Sequence, residues 1–130
     1  MRHQKSGRKL GRKTSHRKAL MSNLASALIK HKKIKTTDAK AKELRMFIEP
    51  LVTKAKKGDL HSRRMVLKKI RHKTIVRELF ENIGPAFSDR KGGYTRIIKL
   101  GFRDNDCAPI SLIEFVNMID ASASQDEAKD

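Results

Sequence analysis

The first eighteen residues, MRHQKSGRKLGRKTSHRK, carry eight permanent cations and no acid: Arg2, Lys5, Arg8, Lys9, Arg12, Lys13, Arg17 and Lys18. His3 and His16 stand among them, placed to touch phosphate or to stack on a base. The chemistry open to such an array is neutralisation of a polyphosphate, with affinity supplied by released counterions. After Met1 its only large apolar side chain is Leu10. The segment therefore cannot bury enough surface to offset the entropy of ordering itself, and an anionic partner must hold it. The bias extends further: residues 1–37 hold twelve of the 31 Lys/Arg and none of the 14 acids. A net charge of +17 and a pI near 10.4 point to nucleic acid or an anionic membrane surface as partner.

Catalytic chemistry finds less support. Gly7, Gly11, Lys13 and Thr14 have the residue types of a phosphate-binding loop. The glycines are one residue too close, Arg12 intervenes before Lys13, and no strand precedes them. Of the five histidines, His31, His61 and His72 complete the set begun by His3 and His16, and none stands at metal-ligand spacing with Cys107 or an acid cluster. No G-x-S-x-G elbow occurs, and no spacing brings a carboxylate pair together. Cys107, the single cysteine, excludes an intramolecular disulfide framework and fits a reducing cytosol. It reads as an incidental thiol in a turn near Pro109. The expectation is no enzyme, no cofactor, no metal and no small-molecule substrate.

No apolar run approaches the eighteen residues a membrane span needs, and the head has no apolar segment of a secretory signal. A mitochondrial transit peptide is also basic and acid-poor, but such peptides are amphipathic and residues 2–18 offer no apolar face.

The elements that must position these groups begin near Ser15, a candidate N-cap. Leu20, Leu24, Ala27, Leu28 and His31 fall on one helical face, which puts His31 at the edge of the core; Arg17, Lys18 and Ser22 lie opposite. Lys33–Thr37 reads as a short strand. Thr36 or Thr37 then caps a second helix, with Asp38 near its positive end. Leu44, Phe47, Ile48, Leu51, Val52 and Ala55 form its apolar stripe, which passes Pro50 without a phase shift. One kinked helix ending before Gly58 is expected. Residues 60–71 place Val66, Leu67 and Ile70 together. Thr74 is expected to cap a further helix with Ile75, Val76, Leu79, Phe80 and Ile83 facing in, stopped by Gly84-Pro85. Tyr94–Phe102 and Ile110–Ile119 read as two antiparallel strands joined by a wide loop. The fold class is α+β, two-layer, with a small sheet. The organisation is a basic extension over 1–14 that meets the anionic partner, one globular domain over 15–119, and an acidic disordered tail over 120–130.

Gly92-Gly93-Tyr94-Thr95-Arg96 adds a second candidate contact. Two glycines let the backbone approach a phosphate, Tyr94 can stack or simply cover the sheet, and Arg96 adds charge. If the loop is a contact, Arg96→Ala is expected to leave the fold intact and weaken binding. Lys35, Arg45, Arg63, Arg64 and Lys91 complete the candidate set.

MRHQKSGRKLGRKTSHRKAL, IKTTDAKAKELR at 34–45, and GGYTRIIKLGFR followed by AP and IEFV resemble the bacterial large-subunit ribosomal proteins of the L-seventeen family, in the family's order and spacing. The resemblance covers residues 1 to about 119. It implies a domain of order α-β-α-α-α-β-β that binds large-subunit ribosomal RNA near the exit end of the peptide tunnel. Neighbouring large-subunit proteins, a cytoplasmic ribosome location and a role in translation follow from the same resemblance. Ala86 stands where the family commonly has arginine. Asn105 stands where glycine is usual, which places a left-handed residue there. The residues alone also admit a basic nucleoid or regulatory DNA-binding protein that uses the same head.

Overall fold

A computed structural model describes Leu10 and residues 13–117. Expectations for most of the basic head, for Ile119 as a strand end and for the acidic tail lie outside the described residues. In chain order the elements are α1 (Thr14–His31), β1 (Lys33–Thr37), α2 (Asp38–Lys57), α3 (Leu60–Lys69), α4 (Lys73–Glu78), β2 (Thr95–Phe102) and β3 (Pro109–Phe115). From α4 the chain continues through a π-helical turn (Leu79–Ile83) into a last α-turn (Gly84–Ala86). The α+β class and the small antiparallel sheet are those expected from the sequence.

β3 is the central strand of a three-stranded antiparallel sheet in the order β1-β3-β2. The β2–β3 hairpin is local. The β1–β3 pairing, which sets Ile34 against Ile113 and Thr36 against Ser111, joins segments far apart in the chain. A bulge between Lys99 and Gly101 inserts one extra residue into β2. Ser111 Oγ donates to Asp38 Oδ1 at 2.9 Å, fixing the start of α2 over the sheet. The bond from Lys42, followed by that from Ser111, holds the Asp38 carboxyl below its usual range.

α2 packs against all three strands and carries much of the core. Ala41, Leu44, Ile48, Leu51, Val52 and Ala55 are buried along one stripe, and full burial of a Leu or Ile side chain stabilises by roughly 1.5–3 kcal/mol. Pro50 lies inside this helix as expected. Its missing N–H costs one bond to the Met46 carbonyl, and both residues are exposed, so that face of the helix is open to solvent. Thr37 caps α2 by accepting from Lys40 N, and Gly58 ends it at φ +70.

Three local expectations need correction. The stripe of α1 is Ala25, Leu28 and Ile29, whereas Leu20, Leu24 and Ala27 are half-buried and His31 is exposed. Two adjacent stripes of similar apolarity run along this helix, and packing on α2 and α4 selects between them. Ser15 lies within α1 after an uncapped Lys13, and His72 rather than Thr74 precedes α4, again without a side-chain cap. Gly84-Pro85 does not stop the fourth helix. Gly84 N–H bonds the Leu79 carbonyl five residues back, and the helix runs on to Ala86. Gly84 packs where a Cβ would lie 2.8 Å from the Ala55 carbonyl oxygen, so this glycine serves the close approach of two helices.

In the hairpin loop the left-handed residue is Cys107 at φ 56, not Asn105. Asp106 receives both the Arg103 guanidinium and the Ala108 N–H, and the turn closes around that carboxylate.

Candidate nucleic-acid interface

The first described cations stand at the start of α1. Lys13, His16 and Lys18 are exposed, and the half-buried Arg17 donates to Thr14 Oγ1 at 3.2 Å. No acid lies in this first turn and no side chain caps it. A helix N-terminus favours negative charge by about 0.3–1 kcal/mol per group, so the basic residues here oppose the helix electrostatics. Local stability would select the reverse arrangement. An anion placed there would fill the place of the missing acids.

The second group surrounds the Arg90–Gly93 loop, which α2 holds in place. The Glu49 carboxylate accepts from Tyr94 N at 3.1 Å, Thr95 N at 3.2 Å and Thr95 Oγ1 at 2.9 Å. Lys56 Nζ donates to the Arg90 carbonyl and to the Tyr94 hydroxyl, and Arg90 Nη1 donates to the Gly93 carbonyl. Lys91, Gly92 and Gly93 remain exposed. Gly93 takes φ +61, and a Cβ added there would meet no atom within 4 Å; Gly92 is equally open. A side chain at Gly93 therefore costs about 1 kcal/mol through conformation and not through a clash. What the loop presents outward is bare backbone beside Lys91.

Tyr94 is not part of that outward surface. It is 1% exposed, its ring packs edge-on against Phe87 at 5.2 Å, and its hydroxyl bonds Thr53 and Lys56. Stacking on a base would require opening the core, so of the two readings of Tyr94 the structure supports the covering one.

Arg96 faces the outer side of the sheet. The register sets it opposite Glu114, which is opposite Lys33 on the other side; the next row is Ile98, Leu112 and Lys35. Lys33, Lys35 and Arg96 thus share one face, and sequence reasoning missed Lys33. Arg96 Nε bonds Glu114 Oε1 at 2.7 Å, and the Glu114 side chain is only 5% exposed. The contact with Glu114 gives Arg96 a structural partner that the sequence alone did not show. Half-exposed Arg96 loses little by its removal, but a buried carboxylate loses its guanidinium partner. We expect Arg96→Ala to cost about 1–2 kcal/mol in thermal or urea unfolding, with Glu114→Gln in the same chain recovering part of it. A melting curve of Arg96→Ala that overlays the parent would remove the structural role from this pair.

Arg45 and Arg64 are exposed on α2 and α3. Arg63 is half-buried with its guanidinium 5.0 Å from the Phe80 ring centre, so part of its role is packing. Arg2, His3, Lys5, Arg8, Lys9 and Arg12 lie outside the described residues. Glu49 and Lys56 organise the loop and were not anticipated; the one signal for Glu49 is an acid beside the apolar stripe, next to Pro50. Among the described residues no three His, Cys, Asp or Glu stand together as metal ligands. None of the described helices is long and apolar enough to cross a membrane.

A family model described as Ribosomal protein L17 matches residues 20–116. The chain is 56% identical over 116 residues to a protein of Pelobacter propionicus named large ribosomal subunit protein bL17, covering 89% of this chain and 91% of the relative. A protein of the same name from Allorhizobium ampelinum is 52% identical over 130 residues, 99% of this chain and 92% of the relative. One from Nitratidesulfovibrio vulgaris is 54% identical over 123 residues, with 94% and 92% covered.

Proposed function

The chain belongs to the ribosomal protein L17 family, and on that premise we propose that it is a structural, non-catalytic constituent of the large ribosomal subunit, held there by ribosomal RNA. The observation that carries this reading is the uncapped, acid-free start of α1. Basic side chains crowd a helix end that repels them, immediately after a head in which Arg2, Lys5, Arg8, Lys9 and Arg12 add further cations and no acid intervenes. A polyanion relieves both repulsions at once. The basic head threads between crowded phosphates, and the folded domain that begins at α1 anchors it. Lys91 with the bare backbone of Gly92 and Gly93, the exposed Arg45 and Arg64, and the sheet-face Lys35 supply further phosphate contacts. The partners are large-subunit ribosomal RNA and adjoining large-subunit proteins, and the location is the cytoplasmic ribosome.

Sedimentation tests this directly. The protein is expected to travel with the large subunit through a gradient at moderate salt, and ribosomal RNA fragments are expected to outcompete duplex DNA of equal charge for the purified chain. Equal competition by DNA would favour a DNA-compacting role, and release from the large subunit at moderate salt would remove the ribosomal one.

A further inference from the structure

A groove runs between the second half of α1 and the start of α4. Its walls are Ser26, Ala27, Lys30 and His31 on one side and His72, Thr74 and Ile75 on the other. The cavity holds about 300 Å³. We infer that this groove receives one unpaired nucleotide of the bound RNA, its base on the apolar floor and its phosphate on Lys30 and the two imidazoles. The inference rests on the RNA-binding reading and assigns it a site.

Three observations carry it. The first is the chemistry of the lining. Ala27 and Ile75 make an apolar floor, Lys30, His31 and His72 bring three basic groups to the rim, and no lining residue is acidic. An unstacked base with its phosphate has the same division into a flat apolar body and an anionic end. The volume is on the scale of one nucleotide.

The second is that the walls are fixed. Lys32, held left-handed at φ 69 at the end of α1, reaches across to Glu78 at 2.7 Å, and Glu78 also accepts from Asn82. The Lys32 ammonium lowers the Glu78 carboxyl below its usual range. The acid nearest the groove along α4 is therefore already paired and does not compete for Lys30. The third is availability. Lys30, His31, His72 and Thr74 are all exposed, so the groove needs no opening. Ser26 Oγ is committed as a donor to the Ser22 carbonyl, which leaves its lone pairs as acceptors for a base edge.

None of these groups belongs to the basic head or to the Arg90–Gly93 loop, so the groove can be tested separately from both. Its α1 wall lies beside the core stripe, so substitutions there leave Ala25, Leu28 and Ile29 in place. The experiment is a titration of the full chain with adenosine and uridine 5′-monophosphates, read on the imidazole NMR signals of His31 and His72, with inorganic phosphate as a parallel arm. Saturable shifts with the nucleotides, and weaker ones with phosphate, are expected. Equal shifts with phosphate alone would make the groove a simple anion site and overturn the nucleotide assignment. A second arm measures the affinity of large-subunit ribosomal RNA for the parent, for Lys30→Ala/His72→Ala and for Lys32→Ala. The double variant is expected to melt with the parent and bind roughly tenfold more weakly, the scale of one lost charge-assisted contact. Lys32→Ala is expected to weaken binding less, through loosened walls. Parent and double variant binding equally well would overturn the groove while leaving the RNA reading intact; failure of the parent itself to bind ribosomal RNA would overturn that reading first.

Discussion

Replacement of Arg2, Lys5, Arg8, Lys9, Arg12 and Lys13 by glutamine reduces the slope of log affinity against log salt, for a large-subunit RNA fragment, by roughly four to five units. Each phosphate neutralised on a nucleic acid adds about 0.7 to 0.9 to that slope, because one condensed counterion is released. The segment that holds these six cations has no acid to pair with them, so most of that maximum is available. Between about 50 and 200 mM salt the difference amounts to roughly two to three orders of magnitude in relative affinity. Glutamine keeps the chain length, and the substitutions spare Leu10, which is half-buried. The melting temperature should not move, since the buried residues of α1 begin at Ala25. Isotherms at several salt concentrations give the slope for parent and variant. Parallel lines would mean that the head contributes no phosphate contacts, and recognition would pass to the exposed cations of the folded domain.

Gly84→Ala is expected to destabilise the protein by about 2–3 kcal/mol, with a fall in melting temperature of about 10 °C or more. Helix propensity predicts the opposite sign, since alanine is favoured over glycine by about 1 kcal/mol in a helix. The geometry decides against propensity. An added Cβ meets the Ala55 carbonyl oxygen at 2.8 Å and the Ala55 carbonyl carbon at 2.9 Å. Both are backbone atoms in the last turns of α2, and they move only if that helix moves. The neighbours of Gly84 in sequence, Ile83 and Phe87, are fully buried, so a shift that relieves the clash disturbs the core on either side. Ala55→Gly separates this cause from ordinary crowding. The Ala55 Cβ, at 3.2 Å, is the least of the three contacts, and deleting it leaves the backbone clash. The double variant is expected to be no more stable than Gly84→Ala alone. A Gly84→Ala protein that melts with the parent, or a rescue by Ala55→Gly, would show that the helices separate at little cost.

Some of this protein was determined by sequence alone because the physics is local or additive. The charge of the head, the absence of acids before Asp38 and the polyanion they demand need no fold. Thr37 capping α2, the persistence of α2 through Pro50 and its end at Gly58 follow from one helix's own hydrogen bonds and apolar period. The hairpin of β2 and β3 is likewise set by neighbours in the chain. Other features exist only between segments. Which stripe of α1 is buried depends on α2 and α4, because two stripes of that helix are nearly equal in apolarity. Gly84-Pro85 carries the local signal of a helix stop, yet the space beside Ala55 and the π-turn keep the helix going. Tyr94 and Arg96 have the residue types of an RNA contact. Their partners, Thr53 and Lys56 on α2 and Glu114 on β3, are distant in sequence; they hold the Tyr94 hydroxyl in the interior and pair Arg96 on the outer face of the sheet. The groove of Lys30, His31 and His72 is of the same kind. Its two walls are far apart in the chain, and only the packing of α1 on α4, fixed by Lys32 and Glu78, brings them together.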